Sequence, residues 1–279
     1  MTKIITGLAF PEGPRWFNGA LYFSDMHSLE VWRWTPEEGG APIATIPGKP
    51  SGLGFLDSKT LLVSSQNDRC VMRVDLDDLE AGPRVHADVS GIATWHLNDM
   101  ITDAQGRAYV GNYGSGAMPG EHIDAAALAF VDTDGTVTPA ADDLYFPNGM
   151  AFRAGGRELV VAETRSEPGR LTVFDVAADG SLSNRRTLIE FETEWPDGIA
   201  RDVEDAVWVA SPFSGEVIRV DVNGEVTDRL AIANPYAVAL GGADGRDLFV
   251  CSAANWQPEL ALAERSGAIE VLRVEVPAA

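Results

Sequence analysis

Apolar and polar positions along this chain repeat with a long, nearly regular period. A short β-type run recurs six times, at 21–25 (LYFSD), 61–65 (LLVSS), 108–112 (AYVGN), 158–162 (ELVVA), 206–210 (AVWVA) and 247–251 (DLFVC). Each mixes β-branched and aromatic residues and is flanked by turn residues, the composition of a buried strand. With Tyr22, Leu62, Tyr109, Leu159, Val207 and Leu248 as equivalent positions, the spacings are 40, 47, 50, 48 and 41 residues. A second run follows each one, from Val31, Val71, Ala127, Arg170, Glu216 and Ile269, and a further strand precedes each one across a tight turn such as 103–106 or 153–156. Three or more strands in about 40–50 residues, repeated six times, predict an all-β six-bladed β-propeller. No long amphipathic pattern is present; only 258–265 has the makings of a helical turn or two. No linker interrupts the repeat, so residues 1–279 read as one domain.

The same register aligns a second set of positions. Just ahead of the apolar strands stand Glu12, Ser51, Asn98, Asn148, Asp197 and Tyr236, in the steps Pro-Glu-Gly, Pro-Ser-Gly, Leu-Asn-Asp, Pro-Asn-Gly, Pro-Asp-Gly and Pro-Tyr-Ala. If the units circle an axis, these six side chains converge at the mouth of the central channel. Asn-Gly and Asp-Gly are also the commonest hairpin-turn dipeptides. A hairpin turn lies between paired strands, however, whereas these steps stand at the entry to a unit, and Glu12-Gly13 holds the same register. Glu12, Asn98, Asn148 and Asp197 offer oxygen donors without His or Cys, which suits a hard divalent cation. Calcium is favoured, since zinc would prefer His or Cys. Four protein donors leave positions for water and substrate, so the expectation is a central metal site open to chemistry. Around it, Trp95 and His96 precede Asn98, Phe213 and Tyr236 supply apolar surface, and Glu163, just after the fourth core strand, is a further candidate for substrate contact. His27 follows the first core strand; a lone His is more often structural than catalytic.

Composition narrows the partners. The formal net charge is −21 and the pI about 4.4, a surface that repels nucleic acid and anionic membranes. The first six residues lack a signal-peptide layout, no apolar run is long enough to span a bilayer, and no Asn-x-Ser/Thr sequon occurs. Cys70 and Cys251 have no metal spacing and read as buried free thiols of a reducing compartment. A cytoplasmic protein acting on a small molecule fits these features; the oligomeric state stays open. Nucleophile elbow, P-loop, paired Cys-x-x-Cys and dinucleotide fingerprint are all missing.

Taken together, residues 12–16 (EGPRW), 22–27 (YFSDMH), 97–99 (LND), 147–149 (PNG) and 196–200 (PDGIA) resemble the senescence marker protein/gluconolactonase (regucalcin-like) family, in order and spacing, from about Phe10 onward. The resemblance implies a six-bladed propeller, as the repeat count does. It implies that Glu12, Asn148 and Asp197 hold a metal ion, with Asn98 beside them on metal or substrate, and that Asp197 is the catalytic base. It implies lactone hydrolysis, mostly of sugar lactones, with calcium or sometimes zinc, manganese or magnesium as the metal. One departure stands out. Sugar-lactone members carry Arg two residues before the Asn, where this chain has His96 flanked by Trp95, so a less hydroxylated lactone is expected. The expected reaction is metal polarisation of a lactone carbonyl with attack by water, the base being Asp197 or a metal-bound hydroxide. The alternatives are a metal-dependent phosphotriesterase or natural-product enzyme on the same propeller, and a non-catalytic calcium-binding propeller.

Overall fold

The computed structural model describes residues 1–116, 118 and 121–279. Its strands form six four-stranded antiparallel sheets. The innermost strands are Pro11–Phe17, Pro50–Phe55, Leu97–Thr102, Pro147–Arg153, Ile199–Arg201 and Pro235–Gly241. Each packs against the innermost strand of the next sheet, the sixth against the first, so the sheets are blades around a closed ring. The fold is an all-β, six-bladed β-propeller.

The six core runs are the second strands of the blades: Ala20–Asp25, Thr60–Ser65, Ala108–Asn112, Glu158–Glu163, Val207–Ser211 and Asp247–Ser252. They read as continuous apolar runs because both faces are buried. Leu159 and Val161 face the blade before, Val160 and Ala162 the blade after. Six apolar clusters result, one at each blade–blade interface. The outermost strands were not foreseen. Leu182–Glu190, for example, is largely exposed and has no apolar face to announce it. The sixth blade takes its outer strand from the other end of the chain: Thr2–Leu8 pairs antiparallel with Gly267–Arg273 and locks the ring. One short helix, Pro258–Glu264, covers the cavity side of the last blade. Cys251 is buried and Cys70 only partly so, a correction to the expectation of two buried thiols; both are free.

The leading positions are corrected in one respect. Glu12, Ser51, Asn98, Asn148 and Tyr236 lie inside the innermost strands, not in loops ahead of them, and only Asp197 stands outside its strand. The pairing slips at this point in five blades, between Glu12 and Arg15, Pro50 and Leu53, Leu97 and Met100, Pro147 and Met150, and Pro235 and Ala237. The bulge turns a side chain that would enter the sheet toward the axis. The glycines that follow serve close packing. A Cβ on Gly149 would sit 2.4 Å from the Asp197 carbonyl oxygen, and one on Gly198 2.4 Å from the Ala237 Cβ. The Asn-Gly and Asp-Gly steps are thus sites where neighbouring inner strands touch.

Candidate functional site

A cavity of about 330 Å³ opens at this end of the channel. The structure brings together there Glu12, Asn98, Asn148, Asp197, Trp95, His96, Phe213, Tyr236 and His27. Ser51 stands just behind, its hydroxyl donating to Asn98 Oδ1 at 3.3 Å. Glu163 is the exception. It is wholly buried in its blade, where Arg170 (2.9 Å), Arg185 (3.1 Å), Thr172 and the Tyr145 amide occupy its oxygens. Its position in the strand turns it to the blade's own loop, so it is not a cavity residue.

Two carboxylates dominate the floor. Glu12 Oε2 accepts from the Gly13 amide at 3.0 Å, and Asp197 Oδ1 accepts from Asn148 Nδ2 at 2.6 Å. Neither has an ion pair among the described residues. Burial, then the charges of Asp197 and Asp99, pushes the Glu12 carboxyl well up. Burial also pushes Asp197 up, against the pull of Asn148. The third acid, Asp99, is tied to Arg15 at 2.8 Å, and Arg15 further donates to the Met100 carbonyl. Its own carboxyl is raised, burial outweighing Arg15.

The two amides complete a donor set. Asn148 spends both Nδ2 hydrogens on Asp197 and on Thr164 Oγ1 (3.0 Å), and Thr164 is fixed by the Pro196 carbonyl at 2.7 Å. Its Oδ1 is therefore presented away from those partners. Asn98 Nδ2 is buried with no partner. Turning that amide over would place its oxygen at the orphaned position and let its nitrogen donate to the Ser51 hydroxyl oxygen. An orphaned buried polar atom beside two unneutralised carboxylates fits a hard cation held by oxygen. No group of three or more His, Cys, Asp or Glu suited to a metal exists among the described residues, so any such ion depends on the amides.

The walls are mostly apolar and aromatic. Tyr236 packs on Phe10 (ring centroids 4.5 Å apart) with Met26, and Tyr113 stacks on Phe146 at 4.3 Å. Trp95 and His96 lie 5.0 Å apart, and Trp195 meets Phe213 edge-on at 5.2 Å; Trp95 and Phe213 are exposed at the rim. His27 Nε2 is 2.9 Å from the Trp256 carbonyl oxygen. Burial holds both His27 and His96 below the ordinary imidazole value.

Sequence reading missed Phe10, Lys49, Phe146 and Trp195 in this wall. A signal for them existed. Two residues before each leading position stand Phe10, Lys49, His96, Phe146, Trp195 and Asn234. All but Asn234 line the cavity, a second ring above the first.

The family model for the SMP-30/gluconolactonase/LRE-like region matches residues 10–254. The chain belongs to this family. Among curated relatives, pentonolactonase XacC of Haloferax volcanii is 29% identical over 263 residues, covering 91% of this chain and 85% of its own. Among solved structures, a luciferin-regenerating enzyme superposes with a TM-score of 0.83 at 21% identity, covering 99% of this chain and 95% of its own. A regucalcin of Agrobacterium tumefaciens, described as a calcium-binding protein, gives 0.81 at 21% identity, with coverages of 99% and 93%. At these identities the two structures speak for the fold alone. No helix among the described residues is long and apolar enough to cross a membrane.

Proposed function

We propose that this family member is a divalent-cation-dependent hydrolase that opens a small lactone. One observation carries the reading: two buried carboxylates that the protein leaves without a cation share a cavity with two amides able to present oxygen. The lactonase name of a relative that aligns along nearly the whole chain supports the reaction class.

Glu12, Asn98, Asn148 and Asp197 would hold the ion, and their all-oxygen chemistry favours calcium. When bound, a divalent cation supplies a Lewis acid for the lactone carbonyl. Asp197 takes the proton of the attacking water. Asn148, itself braced by Thr164, fixes the orientation of Oδ1 for that role. Water adds to the acyl carbon, the ring C–O bond breaks, and the proton returns to the departing alkoxide. Phe10, Met26, Tyr236, Tyr113 and Phe146 surround the reacting centre and limit water around it.

Hydrolysis of a panel of sugar and aliphatic lactones, followed by proton release, tests the reading. Turnover is expected to vanish on chelation and to return with calcium, or with manganese or zinc. Calorimetry run alongside reports whether the ion binds. Tight binding with no turnover of any lactone would sink the catalytic reading.

A further inference from the structure

The chain has three lysines. Lys3 pairs with Glu270 at 3.8 Å and Lys59 pairs with Asp77 at the surface. Lys49 lines the cavity, half-buried, and no carboxylate or hydrogen-bond acceptor meets its ammonium among the described residues. Desolvation lowers its proton affinity to about 8. Its charge reaches both His27 and His96 and helps to keep them neutral. The backbone at Lys49 is left-handed, with φ of 76°, as it is at Phe146 (57°) and Asn234 (47°) in the same column, so the turn belongs to the blade and sets where the side chain stands. Lys49 is held there by its amide on the Ile46 carbonyl (3.0 Å) and by the Gln66 amide on its own carbonyl (2.8 Å). A partly buried charge with no partner in the protein is costly, the pattern expected where a ligand supplies the missing partner.

The other charges of the cavity are accounted for. Arg15 answers Asp99 from below, and a divalent ion would answer Glu12 and Asp197. Arg165 donates to the Met118 and Glu121 carbonyls, with the Glu121 and Glu167 charges close by. Lys49 is left as the charge to be matched. Resting on the lactonase reading above, we propose that Lys49 binds an anionic substituent of the substrate, a carboxylate or comparable oxyanion carried on the lactone. The reactive carbonyl would then lie over the acidic floor and the anion against the blade-two wall.

Two measurements on the calcium-loaded protein test this. The first compares γ-butyrolactone with the same ring bearing a carboxylate next to the ring oxygen. In wild type the carboxylated ring is expected to be the better substrate. Lys49→Met should cut the ratio of kcat/KM between the two at least about tenfold, through KM, the scale of one charge-assisted hydrogen bond. Lys49→Arg, which keeps the charge, should recover part of it. The second needs no turnover. Reductive methylation with carbon-13 keeps each lysine charged and gives separable signals for three lysines, Lys49 being identified by its loss in Lys49→Arg. The unreactive 3-oxocyclopentane carboxylate should move the Lys49 signal and raise its titration midpoint, with Lys3 and Lys59 as unmoved controls, while cyclopentanone should not.

A selectivity ratio unchanged by Lys49→Met, or a Lys49 signal blind to the keto acid, overturns the proposal. If neither lactone is hydrolysed but the keto acid moves Lys49 alone, the anion subsite stands and the lactonase reading falls. If both lactones are hydrolysed and Lys49 does not respond, the lactonase reading stands and the subsite falls.

Discussion

Two columns of side chains circle this propeller and meet burial in opposite ways. The residues that end the second strands, Asp25, Ser65, Asn112, Glu163, Ser211 and Ser252, are all buried, and each is bonded within the protein. Asp25 accepts from the Ala9 and Phe10 amides, and Ser211 from the Trp195 amide, so this column pins loops. Beside it runs the inner column, where Glu12 and Asp197 have no ion pair among the described residues. Burial pushes the Glu163 carboxyl up, but Arg170, Thr172 and the Tyr145 amide outweigh it and hold it low. For Glu12 and Asp197 burial wins. Burial of a carboxylate is therefore no mark of function here; the mark is a buried carboxylate that the protein itself leaves unneutralised.

The sharpest way to break this contrast is Asp197→Asn. Lactone turnover should fall by at least about 10³-fold, the range of a lost general base. Melting in chelator should not suffer, because the change removes one of two like charges. Full activity in this variant would end the assignment. Next in size is Glu163→Gln. It leaves Arg170 and Arg185 short of a partner and should lower the unfolding free energy by about 3–5 kcal/mol in urea titrations. Activity per folded molecule should persist; a loss of kcat at unchanged stability would return Glu163 to the site.

The smallest effect lies in the pH dependence, where the two columns have opposite signs. Glu163 binds its proton less tightly folded than unfolded, so its contribution is present above about pH 4 and fades below it. Glu12 and Asp197 bind protons more tightly when folded, so in chelator their contribution is complete below about pH 4 and is lost as pH rises. Relative to Asp197→Asn, the wild type should thus lose melting temperature between pH 4 and 8, at about 2–4 °C per kcal/mol for a chain of this size. Calcium should abolish the trend. A flat difference in chelator would mean that these carboxylates are not in conflict.

The legible parts of the sequence were those in which one local pattern carries the structure. The second strands announced themselves by apolar runs, and their spacing set the blade count. The outer strands did not, since segments such as Leu182–Glu190 face solvent and owe their form to a neighbour's edge. Thr2–Leu8 was hidden for a different reason: its partner lies at the far end of the chain. In the site, the register at Glu12, Asn98, Asn148 and Asp197 located the cavity floor. Glu163 misled because it was read alone. Read in register with Asp25, Asn112 and Ser211, it falls among loop-pinning residues. Lys49 escaped because its column, from Phe10 to Asn234, shares position without sharing chemistry.

The pairing of Thr2–Leu8 with Gly267–Arg273 also orders events in time. At the ribosome Glu12 emerges long before Tyr236, its neighbour in the ring, and before Asp197 on the blade beyond it. The clasp that holds the circle shut waits for the last blade to be made. Contacts so remote in sequence form late and slowly. A nascent chain therefore carries the parts of the cavity without the cavity, and the ability to bind should arrive in one step, when the circle closes.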